Sequence, residues 1–194
     1  MHIDSNQIEY LGRGANRYTI VHPENKARCL KLPTDGTQGA NLNQLEYQAY
    51  QQLAARALQS DAFFVECYGL VDTNLGQALE VERLFLPNQQ PALSLHQWLQ
   101  DKSLQQAYPV NVIVAMIEQF TAYLIANDLP IFDLNSGNLM LCEHQDQLAL
   151  KYVDVKSLLE SKEILPISRW FKGLMHRKVK RRAERLKQRI LSAQ

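Results

Sequence analysis

The stretch PIFDLNSGNLML, Pro130 to Leu141, sets Asp133 five residues before Asn138, in front of a short apolar run. Further on, Asp154 ends the apolar segment LALKYVDV. Asp and Asn oxygens near one point can hold Mg²⁺, and a further Asp can orient a hydroxyl nucleophile toward a phosphate. Upstream, Lys31 alternates with apolar neighbours in CLKL, where a cation can pair with phosphate. Gly12 and Gly14 flank Arg13, and small residues there let backbone N–H groups approach an anion. Glu46 stands beside the apolar stripe of a helical segment. Singly, each has an ordinary reading: turn residues, a glycine hairpin, a solvated strand lysine, a surface glutamate. Jointly they are the parts of a magnesium–phosphate site.

Such side chains need elements to hold them. Ile8 to Ile20 reads as strand, turn, strand; HPENK is a turn and ARCLKL a third strand. PTDGTQGAN is expected as loop. Leu42, Leu45, Ala49 and Leu53 recur at helical spacing, which predicts a helix over Leu42 to Leu58. FFVECYGLV and QALEVERLFL read as two more strands. After Pro87, SLHQWLQD carries a Ser N-cap signal and reads as a short helix. Asn111 to Asn127 is a long helix, apolar on most faces and so expected at the centre. NLML and LALKYVDV are strands around a polar turn, CEHQDQ, and Pro166 and Ser168 open a last helix. The expected organisation is a strand-rich N-terminal lobe over 1–86, a reduced C-terminal lobe over 87–167, and a basic helix over 168–194.

The composition bounds what such a chain can be. With 194 residues, 46% apolar and 21% charged, it reads as globular with a core of its own. No segment reaches the ~18 apolar residues of a membrane span, and VIVAMIEQFTAYLIAN is broken by Glu118 and Gln119. The start, MHIDSNQIEYLGRG, shows neither the basic nor the apolar region of a secretory signal. Cys29, Cys67 and Cys142 lack ligand-like spacing and read as reduced thiols, which points to the cytoplasm. Charge is unevenly placed. Of 21 Lys and Arg, ten fall between Ser168 and Arg189 beside one acid, Glu184; the remainder carries 11 basic and 19 acidic residues, a net of −8.

Glycine loop, strand Lys, helix Glu, Asp-x4-Asn and strand-end Asp is the order of parts in a protein-kinase-type phosphotransferase. In LGRGANRYTIVHPENKARCLK, and in NLML with its Asp-x4-Asn turn, the chain resembles the bacterial YrbL family of PhoP regulatory network proteins. That resemblance implies an α+β, two-lobed protein-kinase-like fold, with a β-rich N-lobe holding one helix and a reduced helical C-lobe. It further implies that ATP and Mg²⁺ bind between the lobes. Gly12 and Gly14 would cover the phosphates, and Lys31, paired with Glu46, would bind the α- and β-phosphates. Glu82 to Leu84 would read adenine, Asp133 would be catalytic, and Asn138 and Asp154 would hold the metal. The chain departs from the kinase pattern at several places. Arg17 takes the third glycine position, Ile131-Phe132 replaces His-Arg, and Asn135 replaces the lysine after the catalytic Asp. Asp154-Val155-Lys156 stands for Asp-Phe-Gly, and only forty residues follow Asp154. These changes argue against control by loop phosphorylation and against a conventional protein-substrate groove.

The functional expectation is transfer of the γ-phosphate to a hydroxyl acceptor, whether small molecule, lipid or lipopolysaccharide, or protein. The rival is a pseudokinase, a regulatory interaction module without catalysis. A carboxylate metal hydrolase using Asp133 and Asp154 lacks the His ligands or further acids such a site needs. In the last helix Phe171, Met175, Val179, Ala183, Leu186 and Ile190 form an apolar stripe among basic faces. It reads either as a closing helix with solvated charges or as a dock for an anionic surface, peripheral to the inner membrane. Packing against the acidic body of the same chain is a weaker alternative, and nucleic acid ranks last.

Overall fold

Arg28–Pro33 is a strand whose two faces are both covered. Leu30 and Leu32 pack with Ile3, Ile20 and Ala78. Side chains alternate across a strand, so Cys29 and Lys31 point the other way, and all four are buried. The computed structural model describes residues 1–34, 36–56, 58, 61–159 and 171–193. The chain divides into two units, Met1–Ala57 with Val65–Leu84, and Leu58–Phe64 with Phe85–Gln194.

In the first unit, β1 (Tyr10–Arg13), β2 (Arg17–Val21), β3 (Arg28–Pro33), β4 (Cys67–Thr73) and β5 (Gly76–Glu82) form an antiparallel sheet ordered β1-β2-β3-β5-β4. Lys31 lies in register with Thr19 on β2 and Leu79 on β5. Helix α1 (Gly36–Ala55) packs on β3, β4 and β5. It begins within PTDGTQGAN, so the loop expected there is largely helix. The glycine that suggested a loop has another use: a Cβ on Gly39 would stand 2.5 Å from the Pro33 Cβ and 2.7 Å from the Asn16 carbonyl oxygen. Glycine is what lets α1 start so close to the end of β3. The buried face of α1 is Asn43, Glu46, Ala49 and Leu53, while Leu42 and Leu45 are half-buried. Glu46 is therefore no surface residue.

In the second unit, β6 (Leu93–Ser94), β7 (Leu139–His144) and β8 (Gln147–Tyr152) form a small antiparallel sheet. Gln145 and Asp146, with φ of 50° and 60°, turn the chain from β7 to β8. Left-handed residues fit the twist of a tight hairpin, so the turn expected over CEHQDQ contracts and Cys142–His144 remain strand. Phe63 and Phe64, expected in a strand with Cys67, belong to this unit instead, where they pack with Phe120, Tyr123 and Tyr152. Helix α2 (Leu95–Gln100) opens on a reciprocal cap. Ser94 Oγ accepts the Gln97 N–H, and Gln97 Oε1 accepts the Ser94 N–H. Trp98 on α2 is fully buried and donates its indole N–H to the Tyr108 carbonyl at 2.9 Å. Helix α3 (Lys102–Ala107), capped by Asp101, was not legible as a separate element.

Helix α4 (Val110–Ala126) buries one stripe, Val110, Ile113, Ile117, Phe120 and Leu124. It leaves Asn111, Ala115, Glu118, Gln119 and Ala122 exposed. The central position expected from its composition is thus corrected: apolar residues on its other faces are only partly covered. The C-terminal helix α5 (Lys172–Leu191) packs on α4 through Met175, Val179, Ala183, Leu186 and Ile190. Phe171, read as part of this stripe, precedes the helix and is 60% exposed. The expected helix start at Ser168 lies outside the described residues. Among those described, no helix is long and apolar enough to cross a membrane.

Candidate functional site

The expected site residues fall into two clusters, one in each unit. In the first, β3 presents Lys31 to the buried face of α1, and Lys31 Nζ donates to Glu46 Oε1 at 2.7 Å. Arg17 on β2 donates to the other oxygen, Glu46 Oε2, at 2.6 Å, and to Asn43 Oδ1 at 3.0 Å. Asn43 Nδ2 is shared by the carbonyls of Lys31 and Gln77, which ties α1 to β3 and β5. Burial pushes the Glu46 carboxyl upward, but attraction and hydrogen bonds from Lys31 and Arg17 outweigh it and hold it below the usual range. One fully buried carboxylate thus orients two cations.

Gly12 pairs with Thr19 in the β1–β2 ladder, and the Gly14 N–H donates to the Arg17 carbonyl at 2.7 Å. Above Gly12 there is open space: an added Cβ would meet nothing within 4 Å. At the end of β5, the Glu82 N–H donates to the Glu66 carbonyl and the Cys29 thiol approaches the Glu82 carbonyl at 3.6 Å. Leu84 is the last residue of the first unit. Thiol chemistry finds no support here, since burial pushes the Cys29 and Cys67 thiols up to about 11.

The second cluster forms where the loop after α4 meets the ends of β7 and β8. Leu129, Ile131 and Leu134 are buried and pin the loop. Asn135 Oδ1 accepts the N–H groups of Gly137 and Asn138, a side chain standing in for a backbone turn. Asn135 Nδ2 reaches back to Asp133 Oδ1 at 3.1 Å. The Asp133 carbonyl accepts Asn138 Nδ2 at 3.3 Å and the Tyr152 hydroxyl at 3.2 Å. Asn138 Nδ2 also lies 3.5 Å from Asp154 Oδ2, and the Val153 N–H donates to the Asn138 carbonyl. Asp133, Asn138 and Asp154 are therefore brought together. Burial first, then the Asp154 and Asp133 charges, hold the Tyr152 phenol well above its ordinary value, so it serves as a donor.

A family model described as PhoP regulatory network protein YrbL matches residues 3–191. The chain belongs to this family. Among solved structures, the YrbL-family chain is similar to the kinase domain of PF14_0431, with TM-score 0.56 and 15% identity over 78% of this chain and 51% of that one. It is also similar to the PknI kinase domain of Mycobacterium tuberculosis, solved as a double mutant, with TM-score 0.51 and 17% identity over 80% of this chain and 61% of that one. The fold is α+β and kinase-like. The chain spans less than two thirds of either domain. No curated protein matches the sequence.

The departures of this YrbL-family chain from the kinase pattern each have a place in the structure. Arg17 joins Lys31 on Glu46. Ile131 is buried, and Phe132 lies under Lys178 of α5, whose ammonium is 3.9 Å from the ring centroid. Asn135 orients Asp133. Lys156 Nζ donates to Asp154 Oδ2 at 2.8 Å. Sequence reasoning noted Arg17, Asn135 and Lys156 only as losses, and it missed Asn43 and Tyr152. A signal existed for two of them. Asn43 precedes Glu46 by one helical turn, and strand alternation sets Arg17 on the same face as Thr19, the partner of Lys31.

Proposed function

We propose that this YrbL-family chain binds ATP with Mg²⁺ and transfers the γ-phosphate to a hydroxyl acceptor, in a PhoP-type regulatory or cell-envelope setting. The observation that carries the reading is the convergence of Asp133, Asn138 and Asp154 around one polar loop. Lys31, oriented by Glu46, would hold the α- and β-phosphates, with Gly12 and Gly14 covering them and Glu82 to Leu84 reading the base. Asp133, whose Oδ1 accepts the Asn135 side-chain amide, would orient the acceptor hydroxyl and take its proton. The donor chemistry of Asn138 and Asp154 fits Mg²⁺: one amide and one carboxylate oxygen, the hard ligands it takes together with phosphate and water. When bound, the ion offsets phosphate charge.

A second reading, a regulatory module without transfer, is favoured by one contact. Lys156 already neutralises Asp154, so nucleotide binding without turnover is chemically coherent. ADP release and intact mass after incubation with Mg-ATP decide between them, beside Asp133→Asn. Transfer predicts ADP release by the parent chain and its loss in Asp133→Asn, with nucleotide binding retained. Equal binding by both chains, with no ADP from either, leaves the regulatory module.

A further inference from the structure

We propose that the outer face of α5 is a docking surface for anionic phospholipid headgroups, independently of any nucleotide chemistry. The helix is oriented by what it buries. With Met175, Val179, Ala183, Leu186 and Ile190 turned into the unit, the opposite face must look outward. Arg177, Arg181, Arg185 and Arg189 follow at intervals of four residues, so they line one ridge, and all are exposed. Three intervals of four span about 18 Å at 1.5 Å per residue, enough to meet several headgroups at once. Lys180 and Arg182 are exposed on either side of that ridge.

Among the described residues, the acids paired with α5 hold cations outside this ridge: Asp128 takes Lys172 and His176, Glu118 takes Lys187, and Glu184, an exposed residue of α5 itself, also takes Lys187. One exposed acid on the helix thus stands against the four arginines of the ridge with Lys180 and Arg182. Apolar exposure decides the class of anion. Leu174, 47% exposed, sits among the arginines by helical spacing, and Phe171, 60% exposed, stands at the start of the helix. A bilayer interface offers such side chains an apolar partner beside its phosphates; a nucleic-acid backbone does not. Because the main stripe is already buried, attraction is chiefly electrostatic and fades as salt screens it.

Co-sedimentation of the full chain tests this with vesicles of phosphatidylglycerol in phosphatidylcholine against phosphatidylcholine alone, at low and high salt. The expected result is binding to the anionic vesicles alone, reduced at high salt. A basic residue near an anionic leaflet is worth about fivefold in partitioning, so the triple variant Arg177→Gln, Arg181→Gln, Arg185→Gln should lose on the order of a hundredfold. Arg181→Gln alone should lose about fivefold, which keeps the test sound should the triple variant fold poorly. Equal binding to both vesicle types, or undiminished binding by the folded variants, overturns the proposal. So does binding to duplex DNA that matches or exceeds binding to the anionic vesicles at the same salt.

Discussion

Lys156 Nζ holds Asp154 Oδ2 at 2.8 Å, two residues along the chain. The side chain expected to ligate a metal therefore already carries an ammonium on one oxygen. A divalent ion arriving there either binds the other oxygen, close to a like charge, or takes Oδ2 from Lys156, and Lys156 opposes it in both cases. Replacing Lys156 with Ala should lower the Mg²⁺ concentration needed for nucleotide-dependent thermal stabilisation by about tenfold, the worth of a charged hydrogen bond of roughly 1.5 kcal/mol. An unchanged Mg²⁺ requirement in Lys156→Ala would show that the lysine does not compete for the site.

Nucleotide binding itself should raise the melting temperature. A ligand at 100 times its dissociation constant stabilises by roughly 2.7 kcal/mol if it binds only the native state. Lys31→Ala and Asp154→Ala should each diminish the shift given by ATP. The absence of any shift with ATP, ADP or GTP, with or without Mg²⁺, would remove the nucleotide reading.

Glu46 is a fully buried carboxylate of the first unit, shared by Lys31 and Arg17. Truncating it to Ala leaves Lys31 and Arg17 without their shared carboxylate, and breaking a buried pair in this way costs about 3–5 kcal/mol. Its carboxyl is held below the ordinary range in the native state. The stability it contributes is thus fully present above the unfolded value and is lost as pH falls through the lowered native one. The melting-temperature gap between the parent chain and Glu46→Gln should therefore be widest near neutrality and narrow in acid. A gap that stays constant with pH would contradict this assignment.

The buried stripe of α5 predicts that the helix belongs to the core of its unit. Leu186, 4% exposed, should cost about 2–5 kcal/mol as Ala, the range for large-to-small core changes. Denaturant unfolding measures it directly. A cost near zero would mean that α5 is peripheral to the fold.

Apolar rhythm made most elements legible, because strand and helix periods are local properties. The order β1-β2-β3-α1-β4-β5 and the stripe from Met175 to Ile190 were readable on that ground. The rhythm misled where polar residues are the buried ones. On α1 the packed face is Asn43 and Glu46, so the pattern of leucines pointed a partial turn away. Gly39 looked like a loop residue because its reason, the nearby Pro33 and Asn16, is tertiary. In the site, residue types marked Asp133, Asn138 and Asp154. The pairings that define their chemistry, Asn135 with Asp133 and Lys156 with Asp154, depend on chain geometry that no spacing rule supplies.

Trp98, sealed in the second unit with its indole N–H on a backbone carbonyl, gives the molecule an optical asymmetry. The two tryptophans of the chain, Trp98 and Trp170, both follow Phe85, while the first unit contains none. Intrinsic fluorescence therefore watches one half of the protein, and far-ultraviolet circular dichroism watches both. If the two halves melt as one cooperative body, the two spectroscopic transitions coincide. If they melt separately, the emission curve isolates the helical half, and a nucleotide that displaces the dichroism curve alone has acted on the sheet that carries Lys31.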